Sequence, residues 1–463
     1  MGPGFDAERR PQWRESEQQI RKASVNYGEI LKDDHSAPNG KRAPRPGELI
    51  RNTTLANTFR LLAKHGKAGF YEGEVAKSLI QVVQDLGGHL SAGDLKHHLE
   101  VGSEPTEPIS LRFNGQNIGS VESKGLNGQP AQTAHEHGVD VWEHPPNGQG
   151  LVALMALGIL EELEKTNRIP TFTAKDHNTA PYLHAVIESL RIAFADGTWF
   201  ITDPSTTKIP TPTLLSRPYL ASRARLFNPT ATLPPNNLTH GSPAHQACDT
   251  VYFAITDGDG NACSFINSVY GGFGTAIVPR GCGFTLQNRG ANFSLERDHP
   301  NVYAARKRPY HTIIPGMVTN PANSDDGDDD GDGDGGVGGS LHTVFGVMGG
   351  FMQPQGQVQV LLNMLVFGMD PQGALDAPRV CVGAGTDAMG KVLQTVYLEE
   401  GIGGGGGGVA EELRRLGHEV EVVEGFERGL FGRGQVIRCH DEDGRVVYSA
   451  GSDMRGDGCA MPV

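Results

Sequence analysis

Two apolar segments around a glycine-rich turn, residues 249–274, constrain the fold of this chain more than any other part of the sequence. Residues 250–256 (TVYFAIT) are β-branched and aromatic, residues 257–261 (DGDGN) have turn chemistry, and residues 262–269 are again mainly apolar. This pattern predicts a β-hairpin, because glycine and asparagine adopt the positive φ angles that join two antiparallel strands tightly. Thr250 begins the first of these strands.

Thr250 has two interpretations. A threonine at the start of a buried strand is usually an ordinary strand residue. Alternatively, the chain is cut before Thr250, so that its hydroxyl is a nucleophile and its own freed α-amine is the base. An α-amine has a reference pKa of about 8, so a useful minority of it is neutral at pH 7. The residue pattern alone leaves both interpretations open.

The size and charge of the chain argue against several classes of protein. Its 463 residues can bury a large core, and its formal net charge of −14 argues against a nucleic-acid-binding surface and against attraction to anionic membranes. No apolar run is long enough to cross a bilayer, and residues 1–10 lack the apolar core of a signal peptide. The six cysteines are scattered without a CxxC pair, so we expect no metal site, no disulfide framework and no other cofactor.

Helix and strand patterns alternate on both sides of the hairpin. Residues 1–46 are polar and are predicted to be a linker-like arm with at most a short helix near residues 14–23. Residues 114–139 and 321–340 are predicted to be insertions, the second of them disordered, and residues 210–245 a loop presented for cleavage. The predicted helices are residues 53–65, 72–86, 151–165, 180–195, 353–367 and 409–416. Ser91 and Asp94 form a capping pair that predicts the start of a further helix. The predicted strands include residues 109–113, 341–350, 420–423 and 434–438.

Ten segments of the chain resemble, in order, the γ-glutamyltranspeptidase family, whose members are N-terminal-nucleophile hydrolases. They lie within residues 46–463 and include GELIRNTTLANTFRLLAKHG, HPPNGQG, DTVYFAITDGDGNA, KRPYHTIIPGM and GSDMRGDG. The resemblance implies the α/β class and, within it, a four-layer αββα sandwich. It also implies self-cleavage between Asp249 and Thr250, which divides one domain into a large-subunit portion, residues 47–249, and a small-subunit portion, residues 250–463.

The resemblance assigns the chemistry to four residues. Thr250 is the expected nucleophile, and Gly349 with Gly350 is the expected oxyanion site, because glycine lets the backbone approach a ligand closely. Ser268 stands where the family often has a second threonine that helps to hold the free amine. Each has a plainer alternative: the glycines end a strand, and Ser268 is a strand hydroxyl. In the HPPNGQG segment, Asn147 is expected to cap the following helix rather than to face substrate.

The expected substrate pocket departs from the pattern of glutathione-cleaving family members. Its predicted residues are Tyr270, Arg289, Asn292, His311 and Thr312. Asn292 stands where an aspartate usually binds the substrate's α-amine, so a charge-assisted contact is lost. His311–Thr312 replaces a serine pair, and Arg289 replaces a glutamine. These residues are more similar to the oxamate amidohydrolase branch, in which Arg289 and His311 would bind a small carboxylate. The alternative for Arg289 is an exposed surface arginine.

The resemblance therefore implies a threonine amidohydrolase or acyltransferase that forms an acyl-enzyme on Thr250. Glutathione-type γ-glutamyl amides are the family's default acyl donors, and short dicarboxylic amides are the alternative. The expected partners are a small-molecule amide and the two fragments of one precursor, without nucleic acid or a membrane segment. A catalytically inactive remnant is the rival hypothesis. Family members carry a long stretch of chain before the segment that matches Gly47, including an arginine for the substrate's α-carboxylate, so this chain is expected to be truncated.

Overall fold

The computed structural model describes residues 12–114, 138–234, 248–321, 339–383, 395–403, 408–442 and 444–462. The chain divides into two units, Met1–Thr106 with Val269–Arg289 and Glu107–Ser268 with Gly290–Val463. The predicted insertions at residues 114–139 and 321–340 fall almost wholly outside the described residues, as do residues 235–245 of the loop predicted at residues 210–245. The described part of that loop differs from the prediction, because residues 211–214 and 217–224 form two short helices.

The described part of the first unit is mainly helical. The elements of this unit are α1 (Gln12–Ala23), β1 (Lys32–Asp33), β2 (Lys41–Arg42), α2 (Thr53–His65), α3 (Ala68–Tyr71), α4 (Gly73–Asp85) and α5 (Ala92–Val101). α2 begins after Asn52, whose side-chain oxygen accepts a hydrogen bond from the Leu55 amide at 2.9 Å. α5 begins with the predicted capping pair, in which the side chains of Ser91 and Asp94 bind each other's backbone amides.

Residues 12–46 differ from the linker-like arm that the sequence predicts. Ile20 of α1 is fully buried and packs with Ile30, Ala276 and Val278 in one apolar cluster. The polar composition of the segment does not predict this packing, because α1 contacts the cluster through only one narrow apolar face. The other half of the cluster comes from residues far along the chain, which local periodicity does not register.

The second unit contains the hairpin and most of the remaining strands. In chain order its elements are β3 (Ile109–Phe113), β4 (Val139–Glu143), α6 (Gly150–Lys165), α7 (Ala180–Phe200), α8 (Thr211–Leu214), α9 (Arg217–Ala224), β5 (Cys248–Thr256), β6 (Ala262–Gly271, whose last three residues belong to the first unit), β7 (Gly316–Thr319), β8 (Leu341–Met348), α10 (Met352–Leu365), α11 (Pro371–Asp376), β9 (Val380–Val382), β10 (Thr395–Glu399), α12 (Gly408–Arg415), β11 (Glu419–Val423), β12 (Arg433–Glu442) and β13 (Arg445–Ser452).

A six-stranded antiparallel sheet, in the order β13-β12-β8-β7-β4-β3, forms the middle layer of this unit. Both faces of β8 are covered, and residues 342–347 are all buried. Val347 faces α10, because a Cβ added to Gly356 of that helix would lie 2.7 Å from Val347 Cγ1. The neighbouring Gly346 faces the hairpin, where it meets Tyr252. Helices, sheet and hairpin are therefore three successive layers, and the predicted mixed α/β class is confirmed.

The predicted hairpin is also confirmed. β5 and β6 form a two-stranded sheet. Asp257 closes the turn between them, because its N–H donates to the Asn261 carbonyl and its carboxylate accepts from the amides of Asp259 and Asn261. Aspartate favours this kind of turn because its short side chain reaches the backbone amides just ahead of it.

The helices α6, α7 and α10 are buried on nearly all sides. α7 extends to Phe200, five residues beyond its predicted end. Gly197 does not stop this helix. A Cβ on Gly197 would lie 2.5 Å from Val152 Cγ2, so the glycine allows α6 and α7 to pack closely. No helix in the described residues is long and apolar enough to cross a membrane.

Two glutamines of α10 act as hydrogen-bond partners for the edge strand β9 of a three-stranded sheet, β11-β10-β9. Gln355 accepts from the Val382 amide at 2.7 Å and donates to its carbonyl at 3.3 Å. Gln359 makes the same pair of bonds with Val380, at 2.8 and 2.9 Å. A side-chain amide offers the same donor and acceptor as a peptide group, so helix and strand are joined without an unsatisfied backbone group.

A buried ionic network holds the C-terminal turn. Arg379 donates to Asp453 at 2.7 Å, and Arg455 pairs with both Asp453 and Glu399. None of the four side chains is more than 2% exposed. Burial alone would raise the pKa of Asp453, but the two guanidinium groups outweigh it, and the net shift of the pKa is downward. Asp453 is therefore ionised, buried and paired.

The substitution Asp453→Asn is expected to destabilise the protein by about 3–5 kcal/mol, because Arg379 stays buried without its counter-charge. The control is Glu411→Gln, which breaks the exposed ion pair with Arg414 and should cost less than about 1 kcal/mol. Urea unfolding at pH 7 measures both free energies. If both variants lost the same free energy of unfolding, the buried network would not stabilise the protein more than an exposed ion pair does.

Candidate active site

Thr250 and Ser268 face each other across the hairpin. Thr250 Oγ1 donates a hydrogen bond to Ser268 Oγ at 3.1 Å, and Thr250 is only 2% exposed. The two hydroxyls belong to opposite strands, so the antiparallel pairing of β5 with β6 sets their spacing. The structure thus brings together the predicted nucleophile and the predicted second hydroxyl. Asp249 precedes Thr250 within the same strand.

The hairpin lies directly on β8. A Cβ added to Gly346 would be 2.3 Å from Tyr252 Cε2, so only glycine at this position lets the ring lie against the strand. The Tyr252 hydroxyl is 2.9 Å from Ser264 Oγ, and Ser264 Oγ donates to the Phe345 carbonyl at 3.3 Å. The contact between hairpin and sheet is therefore both apolar and hydrogen-bonded.

A second contact fixes the direction of the hairpin. The hydroxyl of Tyr448, on β13, donates to the Asp257 carbonyl at the turn at 2.9 Å. Through the register of β13, β12 and β8, Tyr448 lies level with the first residues of β8. The turn of the hairpin therefore lies at the start of β8, Tyr252 lies at Gly346, and Thr250 points toward the end of β8.

The glycine pair follows at that end. Gly349 and Gly350 have φ angles of 130° and 59°, and a Cβ on Gly349 would meet Gly432 Cα at 3.1 Å. Both values favour glycine, since other residues are strained at positive φ. α10 begins at Met352, so the pair lies at the positive end of a helix dipole. The Gly350 carbonyl accepts a hydrogen bond from Gln149 Nε2 at 2.8 Å.

The turn that contains Asn147 holds the segment of residues 309–312. The Asn147 side chain donates to the Pro309 carbonyl at 2.6 Å, and its own carbonyl accepts from the His311 amide at 2.9 Å. A Cβ on Gly148 would lie 2.9 Å from His311 Cε1, so glycine is needed for this approach. The prediction that Asn147 caps α6 is wrong: its side chain is used by a distant segment, and no side chain caps that helix.

Asn292 contacts the same segment. Its Nδ2 donates to the Tyr310 carbonyl at 3.0 Å, and its backbone carbonyl accepts from Asn301 Nδ2 at 2.7 Å. A carboxylate could not donate the first of these bonds, so asparagine is a structural requirement of this arrangement. Three predicted pocket residues, Asn292, His311 and Thr312, are thereby brought together.

The other two predicted pocket residues lie in the first unit and contact each other. The Arg289 guanidinium is 4.6 Å from the centre of the Tyr270 ring, in cation–π geometry. Arg289 is only 7% exposed, which excludes the alternative of a surface arginine. Tyr270 is buried and has a φ of 78°, a strained conformation for a bulky residue that the surrounding contacts must maintain.

One group of side chains in the described residues has the composition of a metal site. Ligand atoms of His184, Glu188 and His418 all lie within 4.8 Å of one another. His184 Nδ1 is, however, 2.7 Å from His418 Nε2, whereas a tetrahedral zinc ion would hold two imidazole nitrogens about 3.3 Å apart. Glu188 already accepts hydrogen bonds from Arg191 and from the Leu233 amide. We assign the group to the hydrogen-bonded core.

Burial, and then the neighbouring His184 and Arg191, lower the pKa of His418 from 6.5 to about 3. Between about pH 6.5 and about pH 3, His418 is therefore protonated in the unfolded chain but neutral in the folded protein. The free energy of unfolding should fall as the pH is lowered from about 6.5 toward about 3. The variant His418→Gln should lose part of this dependence. Urea unfolding at pH 7.5, 6 and 5 measures the difference; parallel curves for parent and variant would contradict it.

Comparison with known proteins agrees with the fold and with the predicted family. The sequence model of the family Gamma-glutamyltranspeptidase matches residues 6–463. The Glutathione hydrolase-like YwrD proenzyme of Bacillus subtilis (strain 168) is 32% identical over 91% of this chain and 68% of its own length. The Oxamate amidohydrolase proenzyme of Klebsiella pneumoniae subsp. pneumoniae is 30% identical over 90% of this chain and 66% of its own length.

A solved structure, the cephalosporin acylase from Bacillus halodurans, is 34% identical and superposes with a TM-score of 0.70 over 96% of this chain and 69% of that one. The chain thus spans about two thirds of the length of these relatives. The relatives are hydrolases or acylases by name, the enzyme class that the sequence predicts. The chain therefore belongs to the gamma-glutamyltranspeptidase family and is an amidohydrolase of that type.

Proposed function

We propose that the protein is a self-processing enzyme in which cleavage of the Asp249–Thr250 bond frees Thr250 as the nucleophile. The observation that carries this proposal is the position of Thr250, whose hydroxyl bonds Ser268 at the end of the hairpin that lies toward the glycine turn. Cleavage leaves residues 1–249 and 250–463 as two subunits of one precursor. Both curated relatives are named proenzymes, which supports the same processing.

Three groups share the proposed chemistry. The freed α-amine, with a reference pKa of about 8, takes the proton as Thr250 Oγ1 attacks the amide carbonyl. Ser268 restrains the attacking hydroxyl. The amides of Gly349 and Gly350, at the positive end of α10, stabilise the negative charge that develops on the carbonyl oxygen. The protonated α-amine gives this proton to the leaving amine as the amide C–N bond breaks, which leaves the acyl group on Thr250 Oγ1. Water or an amine then attacks this ester, and Thr250 Oγ1 leaves with a proton returned from the α-amine.

For the acyl donor we propose a short dicarboxylic amide of the oxamate or glutaryl type. Asn292 is neutral and its Nδ2 donates to the Tyr310 carbonyl, so this position offers no negative charge to the α-ammonium of a γ-glutamyl group. His311 and Thr312 lie on the segment that Asn292 and Asn147 hold in place. The relative named oxamate amidohydrolase supports the same class of donor.

Glutathione-type γ-glutamyl amides are the second candidate donor. The relative named glutathione hydrolase-like supports this choice. Its sequence identity to this chain, 32%, is slightly higher than the 30% of the oxamate amidohydrolase.

Hydrolysis of oxamate, a glutaryl anilide and glutathione by the parent, Thr250→Ala and Thr250→Ser tests both parts of the proposal. The parent should prefer oxamate or the glutaryl anilide to glutathione by tenfold or more in kcat/KM, since one charge-assisted hydrogen bond contributes about 1.5–3 kcal/mol. Thr250→Ala should have no turnover, and Thr250→Ser should retain part of it because the hydroxyl is kept. Preference for glutathione would contradict the donor, and an active Thr250→Ala variant would contradict the nucleophile.

A further inference from the structure

Gln149 is a buried residue whose side chain makes three hydrogen bonds beside the candidate active site. It lies immediately before α6 and is 0% exposed. Its Nε2 donates to the Gly350 carbonyl at 2.8 Å and to the Thr312 carbonyl at 3.1 Å. Its Oε1 accepts from the Tyr310 hydroxyl at 3.0 Å. Both donors of the amide are therefore used, and its oxygen also has a partner.

These bonds join two segments that are far apart in the sequence. Gly350 belongs to the turn between β8 and α10, and Thr312 belongs to the segment that precedes β7. Because one planar NH₂ group serves both carbonyls, the distance and angle between the two segments are set by the geometry of that group. A glycine at positive φ has little conformational preference of its own, so its orientation depends on such external contacts.

We propose that Gln149 is a positioning residue for acyl transfer: it holds the glycine turn in register with the segment that carries His311 and Thr312. This inference rests on the proposed function, in which the Gly350 amide is an oxyanion donor and the 309–312 segment faces the acyl donor. The three hydrogen bonds of the Gln149 side chain go to Thr312, Gly350 and Tyr310, so we expect Gln149 to act through these residues and not directly on the reacting atoms. Loss of its two donors would let the glycine turn and the pocket segment move independently of each other.

The chemistry of glutamine is specific at this position. A glutamate of the same shape has no N–H group for the two carbonyls and brings a carboxylate toward two carbonyl oxygens. An asparagine is one methylene shorter and can satisfy one carbonyl but not both. The expected order of acyl-transfer activity is therefore glutamine, then asparagine, then glutamate.

Gln359 offers a matched control. It is also a buried glutamine, and its Nε2 donates to two backbone carbonyls, those of Gln355 and Val380, at 2.9 Å each. It joins α10 to β9, and its bonds do not include the glycine turn. Gln359→Glu therefore produces the same chemical change and the same kind of destabilisation as Gln149→Glu, without acting on the proposed oxyanion site.

The test compares the parent, residues 1–463, with Gln149→Glu, Gln149→Asn and Gln359→Glu. For each protein we would record the extent of self-cleavage by intact mass, the thermal midpoint, and kcat and KM for the better donor. Gln149→Glu should lose about 10²–10³-fold in kcat, the effect of losing one oxyanion donor, with KM changed by less than about threefold. Gln149→Asn should be intermediate. Gln359→Glu should lower the thermal midpoint while its kcat stays within about twofold of the parent.

The outcomes separate this inference from the proposed function. A parent with neither self-cleavage nor turnover overturns both. An active parent whose Gln149 variants keep kcat, or lose no more of it than Gln359→Glu does, overturns the positioning role alone. If the glutamate variant does not fold, Gln149→Asn decides: an intermediate kcat at normal KM supports the role, and a parental kcat overturns it.

Discussion

The contact between Tyr252 and Gly346 sets the geometry on which the second unit depends. The tyrosine ring occupies the space that a side chain at position 346 would fill, so the hairpin lies directly on the middle strand of the sheet. Since strands are stiff, this contact and the hydrogen bond from Tyr448 to the Asp257 carbonyl carry Thr250 toward the end of β8. A larger residue at position 346 would lift the hairpin from the sheet and separate the Thr250 hydroxyl from the glycine turn.

The elements that the sequence predicted correctly have local determinants. The hairpin follows from two β-branched segments around an Asp-Gly turn, and the helix starts follow from residues such as Asn52 and Ser91, whose side chains bind amides a few positions ahead. The hydrogen bond between Thr250 and Ser268 is also a consequence of local structure, because both residues lie in one hairpin. Family resemblance added the roles of these residues and of the glycine pair, and those roles remain predictions.

What the sequence did not predict depends on partners far along the chain. Asn147 resembles a helix cap, but its side chain binds the Pro309 carbonyl, 162 residues away. The sequence pattern assigns no role to Gln149, because its partners, Tyr310, Thr312 and Gly350, are distant in sequence. Polar residues next to glycines in a turn between apolar segments are the signal that could have identified both, since such side chains must find hydrogen bonds when they are buried.

Intact mass under denaturing conditions decides whether Thr250 becomes an N-terminal nucleophile. We expect two species for the purified parent, with the masses of residues 1–249 and 250–463, and one uncut species for Thr250→Ala. A parent that stays as one uncut chain after prolonged incubation would contradict the proposed role of Thr250. Two fragments cut at any other bond would also contradict it.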